Sequence, residues 1–248
     1  MKKLSLALIA ALVCLCSCQG DDTNDNKKSG GEGKEEEEIT DNGLGIEIDG
    51  SFEDWAAVDP TKVASASADP DGLWDAVKQI KVCADQDFVY FYFEYDKDSV
   101  EELLEGDKLP IRLCLNVDGE FTSGYSNYFL QSYDFIIEGS VGAEGKFIDF
   151  DGTLHQRIDG GWVVALSSGN SLVSGKGAGN QYEICLIKEI FNGAAAKTAV
   201  PMQMGDVFQA GIRFYTSAWG ELSNMPNGAV TDDNTEGWGN MLTVTSVK

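Results

Sequence analysis

The chain has few basic residues, little helical periodicity and a single histidine. It carries 18 lysines and arginines against 41 aspartates and glutamates, and such a charge repels nucleic acid and anionic membrane surfaces. Apolar residues rarely recur at helical spacing, which argues against a helical bundle. No second hydrophobic segment approaches the length of a membrane span. These absences exclude nucleic acid as a partner and favour a β-rich domain.

Recognisable catalytic motifs are also missing. His155, the sole histidine, has no Gly-x-Ser-x-Gly elbow and no recognisable cysteine nucleophile motif to accompany it, and we interpret it as a surface strand residue. The glycine-rich residues 175–179 lack the ending of a phosphate loop, so we interpret them as a flexible loop. We therefore expect no enzymatic activity. A glycosidase needs only two carboxylates, so that hypothesis stays open.

The N-terminus carries a short export signal. Two lysines precede an apolar stretch at residues 4–15, which is too short to span a membrane. No Ala-x-Ala cleavage site follows, and the sequence Leu-Cys-Ser-Cys that ends at Cys18 resembles the lipobox of bacterial lipoproteins. The resemblance implies that residues 1–17 are removed and that Cys18 is acylated, for example with palmitate, which anchors the chain to a membrane. A plain secretory signal is the alternative.

An acidic tether is expected to follow Cys18. Residues 19–43 contain nine acidic and three basic residues and almost no apolar side chain, so they bury too little surface to offset the entropy of ordering. The pair Asp21-Asp22 resembles the export signal that sends lipoproteins of gut polysaccharide-degrading bacteria to the outer cell surface. It implies an outer-membrane location that faces the extracellular side.

Residues 44–248 are predicted to form one all-β domain, an antiparallel β-sandwich of jelly-roll or immunoglobulin-like architecture with one or two short helices. Short apolar runs bounded by Gly, Asp and Asn recur through it. Asp118-Gly119, Asp151-Gly152 and Asp159-Gly160 favour tight hairpin turns, and residues 100–104 favour a helix. The clearest strands are residues 79–84, 88–95, 111–117, 133–138, 146–150, 162–166, 182–186, 208–216 and 241–245.

Strand alternation places the three cysteines of residues 44–248 on corresponding faces of their strands. Cys83, Cys114 and Cys185 fall on strand faces opposite the main apolar set. Their spacing matches no zinc pattern. Because the count is odd, at least one thiol is unpaired, and the alternatives are free buried thiols or a Cys83–Cys114 bridge.

Four segments resemble the family 9 carbohydrate-binding modules and their DOMON-like relatives. Residues 46–55, with their Asp-Gly turn and Trp55, resemble the opening of that family, and residues 83–91, 116–139 and 238–244 are similar to its later blocks. The resemblance implies a β-sandwich that binds sugars between aromatic side chains and often contains structural calcium. It also implies that Trp55 is a core residue.

Sugar binding uses aromatic faces together with a few polar groups that bond the hydroxyls. Trp74, Trp219 and Trp238 lie in segments rich in Gly, Asp, Asn and Pro, where an indole is expected to be exposed. Tyr125 and Tyr128, in a polar loop, are further candidates, whereas Trp162 is expected to pack against neighbouring residues. These aromatic residues are the predicted ligand-binding set.

A calcium site needs several oxygen ligands that converge on the ion. By resemblance, Asp118, Asp134 and Glu138 are the predicted ligands, followed by Asp85 and Asp87. We expect any such metal to be structural.

The leading functional hypothesis is a non-catalytic surface lipoprotein that binds a poly- or oligosaccharide. Its partners would be the glycan, the membrane through Cys18 and an outer-membrane glycan transporter complex. A structural or adhesion lipoprotein without sugar binding is the alternative. A glycoside hydrolase, or a haem-binding DOMON-type domain that uses His155 and a methionine, comes third.

Overall fold

Two antiparallel sheets make up most of the fold. The computed structural model describes residues 44–72, 76–104, 108–127, 129–142 and 149–248. The strands are β1 Ala64–Ser67, β2 Val77–Ala84, β3 Phe88–Tyr95, β4 Leu109–Asn116, β5 Phe135–Val141, β6 Asp149–Ile158, β7 Gly161–Leu166, β8 Val173–Ala178, β9 Gln181–Ile187, β10 Val207–Tyr215, β11 Glu221–Met225 and β12 Leu242–Thr245.

The five-stranded sheet has the order β1-β2-β3-β9-β8. The seven-stranded sheet has the order β11-β10-β4-β5-β6-β7, and β12 also pairs with β10. Within the described residues, three α-helices and one 3₁₀ turn complete the fold: α1 Asp54–Ala57, α2 Lys97–Leu104, α3 Lys188–Ala195 and the turn Pro60–Lys62. The predicted β-sandwich is therefore confirmed.

The main core lies between the two sheets and contains the alternating apolar residues of both. Phe93 of β3 and Phe214 of β10 meet edge to face, with ring centroids 5.6 Å apart. Phe191 of α3 contacts Phe135 of β5 at 4.9 Å, so the helix closes part of the same core. Strand β3 lies in the middle of its sheet, as its two apolar faces predict.

Two local predictions are wrong. Residues 175–179 were expected to form a loop, but residues up to 178 belong to β8, which pairs with β9 along its whole length. The dipeptide Asp151-Gly152 was expected to form a hairpin turn, but it lies inside β6. A Cβ at Gly152 would lie 2.9 Å from Cγ2 of Val173, so the glycine allows β6 to pass close to β8.

The N-terminal segment, residues 44–58, covers the outer face of the five-stranded sheet. Trp55 is only 3% exposed and its ring contacts that of Tyr92 at 5.7 Å, so the predicted burial is confirmed. Glu183 of β9 accepts hydrogen bonds from the backbone N–H groups of Asp49 and Gly50, at 2.8 and 2.6 Å. It also accepts one from Trp55 Nε1 at 3.3 Å. These bonds hold the segment on the sheet.

The three cysteines are free and buried. Cys83 packs on the outer face of the five-stranded sheet, whereas Cys114 packs on the outer face of the seven-stranded sheet. A Cys83–Cys114 bridge is therefore excluded, because the whole sandwich separates the two residues. Burial raises the pKa of each thiol to about 12.

The described residues belong to one compact unit. None of the helices in this part of the chain is long and apolar enough to cross a membrane.

Candidate functional site

The chain contains only three arginines, and all of them lie on the outer face of the seven-stranded sheet. Arg112 of β4 alternates with the core residues Ile111 and Leu113, so its side chain points away from the core. Arg213 of β10 is the cross-strand neighbour of Arg112. We call this surface the arginine face and define it by Arg112, Tyr125, Glu138, His155, Arg157, Trp162, Arg213, Tyr215 and Trp219.

Arg112 lies at the centre of the arginine face. Its Nε and Nη2 atoms lie 2.8 and 2.7 Å from Oε1 of Glu138, and its Nη1 donates to the hydroxyl of Tyr215 at 3.1 Å. The guanidinium carbon is 4.7 Å from the centre of the Tyr215 ring and 4.8 Å from that of Trp219. Ion pairing and ring stacking together hold this side chain in one orientation.

Glu138 connects Arg112 to the only histidine of the chain. Nε2 of His155 lies 3.0 Å from Oε2 of Glu138. Although burial opposes ionisation of Glu138, the contact with His155 and the positive charge of Arg112 together lower its pKa. Glu138 is therefore a carboxylate at neutral pH, with both oxygens engaged.

Arg213 extends the network toward β11. It donates to the hydroxyl of Tyr133 at 3.1 Å and pairs with Oε1 of Glu221 at 2.6 Å. Its guanidinium carbon lies 5.0 Å from the centre of the Tyr215 ring, so that ring contacts two arginines. Burial raises the pKa of Tyr215 to about 12, which keeps its hydroxyl neutral.

Arg157 stacks on two aromatic rings at the other end of the face. Its guanidinium carbon lies 4.9 Å from the centre of the Tyr125 ring and 5.5 Å from that of Trp162. Trp162 in turn stacks on Tyr133 at 5.9 Å, so the prediction that Trp162 packs is confirmed. Within the described ranges, no carboxylate forms an ion pair with Arg157.

Trp219 is the exposed aromatic residue of the face. It follows the end of β10, and its backbone has φ +62°, a left-handed conformation that a bulky residue rarely adopts. The turn that imposes this conformation is closed by Trp219 N–H donating to the carbonyl of Thr216 at 2.8 Å. Its indole contacts Arg112 and Tyr215 but remains 49% exposed. A strained backbone that presents an aromatic ring to solvent points to a functional position.

The other predicted aromatic residues do not form a cleft with Trp219. Trp238 is half-buried and bridges to Asn227, and the five residues of β11 separate this bridge from Trp219 by about 16 Å of extended chain. Tyr125 is half-buried and supports Arg157. Trp74, Tyr128 and Cys18 lie outside the described residues.

The three predicted calcium ligands are not brought together. Oδ2 of Asp134 accepts from the backbone N–H of Val117 at 3.0 Å, whereas its buried Oδ1 has no partner within the described chain. Burial raises the pKa of Asp134 to about 6, and the nearby charge of Asp118 adds to the effect. Glu138 is instead held by Arg112 and His155. Among the described residues, no group of three or more acidic, histidine or cysteine side chains could hold a metal ion.

The arginines are the functional candidates that the sequence predictions missed. Alternation places Arg112 opposite the core, but His155 was interpreted only as a surface residue and Arg157 and Arg213 were not singled out. The available signal was their scarcity, since three arginines in 248 residues all fall within strands. Their convergence depends on the register of several strands, which no local pattern reveals.

No protein-family model matches the chain, and no curated protein matches it. The resemblance to family 9 carbohydrate-binding modules therefore stays a prediction.

Proposed function

We propose that this protein is a non-catalytic lipoprotein, anchored at the outer membrane through Cys18, that binds a glycan on the arginine face. It would hold a poly- or oligosaccharide near the cell surface, where an outer-membrane transporter complex could take it up. The exposed indole of Trp219 beside Arg112 is the observation that carries this proposal.

The chemistry of the face suits a sugar ring. The exposed part of Trp219 offers an apolar surface to the C–H side of the ring. Arg112 and Glu138 lie beside it and are each about one-quarter exposed, so they can bond hydroxyl groups at the edge of the ring. Because ion pairs and aromatic contacts already fix these side chains, little entropy is lost when a ligand binds.

The protonation state of Glu138 favours binding over glycoside hydrolysis. A glycosidase needs a general acid whose pKa is raised, whereas the pKa of Glu138 is lowered and its oxygens contact Arg112 and His155. A haem ligand would likewise have to displace the contact between His155 and Glu138. These contacts support a binding surface in preference to either alternative.

Affinity electrophoresis against a panel of polysaccharides tests the proposal. Wild-type protein should be retarded by at least one glycan, and Trp219→Ala should lose that retardation. Val207→Ala is the matched control, because Val207 is 56% exposed and lies about 26 Å away at the opposite end of β10. Runs with and without a calcium chelator show whether calcium contributes.

Two outcomes would contradict glycan binding at this face. Retardation of Trp219→Ala equal to that of wild type would place the sugar elsewhere. If no glycan retards the wild type, the binding proposal is contradicted and the structural or adhesion role is favoured. Thermal melts of both variants establish that each is folded.

A further inference from the structure

The arginine face concentrates one kind of charge in an acidic protein. The chain has a formal net charge of −23, and apart from its three arginines its 15 basic residues are all lysines. Arginine differs from lysine because its planar fork of donors matches a carboxylate or sulfate and because it stacks on aromatic rings. All three guanidinium groups do stack on such rings, so each arginine makes a ring contact that suits its planar side chain.

Arg112 retains donors for a ligand. Nε–H and one N–H of Nη2 are directed to Glu138, and one N–H of Nη1 is directed to Tyr215. Two N–H groups therefore remain, one on each terminal nitrogen, and they make no hydrogen bond to a described residue. Free N–H groups on the two terminal nitrogens of a guanidinium can donate to the oxygens of an anionic group.

The local charge balance also favours an anion. On the described part of the face, Arg112 and Arg213 are paired with Glu138 and Glu221, whereas Arg157 has no carboxylate partner. The surface thus carries an excess of positive charge. The negative charge of the whole chain still repels a densely charged polymer.

We propose that the glycan bound by the arginine face carries isolated anionic substituents, either the carboxylate of a uronic acid or a sulfate ester. The inference rests on the proposed function. The anionic group pairs with the free N–H groups of Arg112, and a neighbouring sugar ring lies on Trp219. Sparse charges satisfy the arginines without the repulsion that a dense polyanion experiences.

Titration calorimetry of the full-length protein against matched oligosaccharides tests this inference. A largely methyl-esterified oligogalacturonate that retains isolated free carboxylates is compared with its fully esterified form, and an oligosaccharide of a sparsely sulfated galactan is compared with its desulfated form. We expect one of the two acidic ligands to bind about tenfold or more tightly than its neutral counterpart, since a charge-assisted pair has about that effect. The pair that shows the difference identifies carboxylate or sulfate.

Variants locate the effect. Arg112→Lys keeps the charge but loses the planar set of donors, so it should weaken binding of the acidic ligand about tenfold more than it weakens binding of the neutral one. Arg157→Gln should also weaken acidic binding. Lys176→Gln is the matched control, because it removes an exposed positive charge from β8 on the other sheet and should change nothing. A circular dichroism melt confirms that each variant is folded.

The outcomes separate this inference from the proposed function. Equal or tighter binding of the neutral ligands overturns the anionic preference and leaves glycan binding intact. Equally tight binding of duplex DNA shows non-specific attraction and also overturns it. Failure of all four ligands overturns it too, and if the polysaccharide panel also fails, the proposed function falls with it.

Discussion

The outer faces of the two sheets differ in how much of each is covered by the rest of the chain. On the five-stranded sheet, the N-terminal segment lies over the strands and buries Trp55, and Glu183 accepts hydrogen bonds from the N–H groups of that segment. On the seven-stranded sheet, Trp219 remains exposed and Glu138 pairs with Arg112 at the surface. The chain closes one face with its own residues and leaves polar and aromatic groups accessible on the other.

The two glutamates show what the difference means chemically. Burial raises the pKa of Glu183, so its environment disfavours the charge. Its oxygens are used for hydrogen bonds within the chain. The pKa of Glu138 is lowered despite its burial, because His155 and Arg112 stabilise its charge. A carboxylate kept charged near solvent can serve a ligand, whereas Glu183 serves the fold.

The largest expected effect is the difference in stability between the variants Trp55→Ala and Trp219→Ala. Trp55→Ala should reduce the free energy of unfolding by about 3–5 kcal/mol, because it empties a buried site. Trp219→Ala should reduce it by about 1 kcal/mol or less, because half of that side chain is already in water. Urea denaturation followed by far-UV circular dichroism measures both, and equal losses would contradict the contrast between a closed and an open face.

The next effect tests how Glu183 holds the N-terminal segment. Glu183→Ala leaves the N–H groups of Asp49, Gly50 and Trp55 without their acceptor, which should cost about 2–4 kcal/mol. Glu183→Gln retains an acceptor oxygen and should cost about 1 kcal/mol or less. The same denaturation experiment compares them. Equal losses would show that the hydrogen bonds do not secure the segment.

A third prediction concerns pH and Asp134. Its pKa is about 6 in the folded protein against an ordinary value of 3.8, so the folded state holds the proton more tightly than the unfolded state. Its contribution to stability therefore falls as the pH rises from about 4 to 6, by up to about 3 kcal/mol. Asp134→Asn does not titrate, so it should gain stability relative to wild type over that range. A difference between the two proteins that is independent of pH, measured by denaturation from pH 4 to 7, would refute the raised pKa.

The smallest expected effect is that of the predicted calcium ion. Because the described side chains form no group of three metal ligands, calcium at this position would need further ligands. If it binds, it would keep Asp134 ionised, give its Oδ1 a partner and raise the melting temperature of wild type by about 2–4 °C over that in a chelator. Asp134→Asn should show no such rise. An unchanged wild-type melting temperature would argue against calcium at this position.

Strand alternation predicted the fold because most strands carry it in their own residues. The strand β4 alternates apolar and polar residues clearly and β3 is apolar on both faces, and their predicted positions are close to the observed ones. The turn at Asp159-Gly160 was also predicted, and both residues have the positive φ that such a turn needs. The strand β8 was missed because its glycines show no apolar pattern, and its pairing with β9 determines its conformation instead.

The candidate site was predictable only in part. The composition of its loop marked Trp219 as an exposed indole, which the structure confirms. The grouping of Arg112 with Glu138 and His155 requires β4, β5 and β6 to pair in a particular register. Such long-range pairing is set by the whole core, so separate stretches of sequence do not reveal it.

A buried free thiol lies under each outer face, so its rate of chemical labelling measures how often that face opens. Cys83 lies under the N-terminal segment and Cys114 lies under the aromatic cluster of the arginine face. With a pKa of about 12, neither thiol reacts while it stays covered. The rate at which a thiol reagent labels each one therefore reports how often that face opens, so the motions of the two faces can be timed separately in a single unmodified molecule.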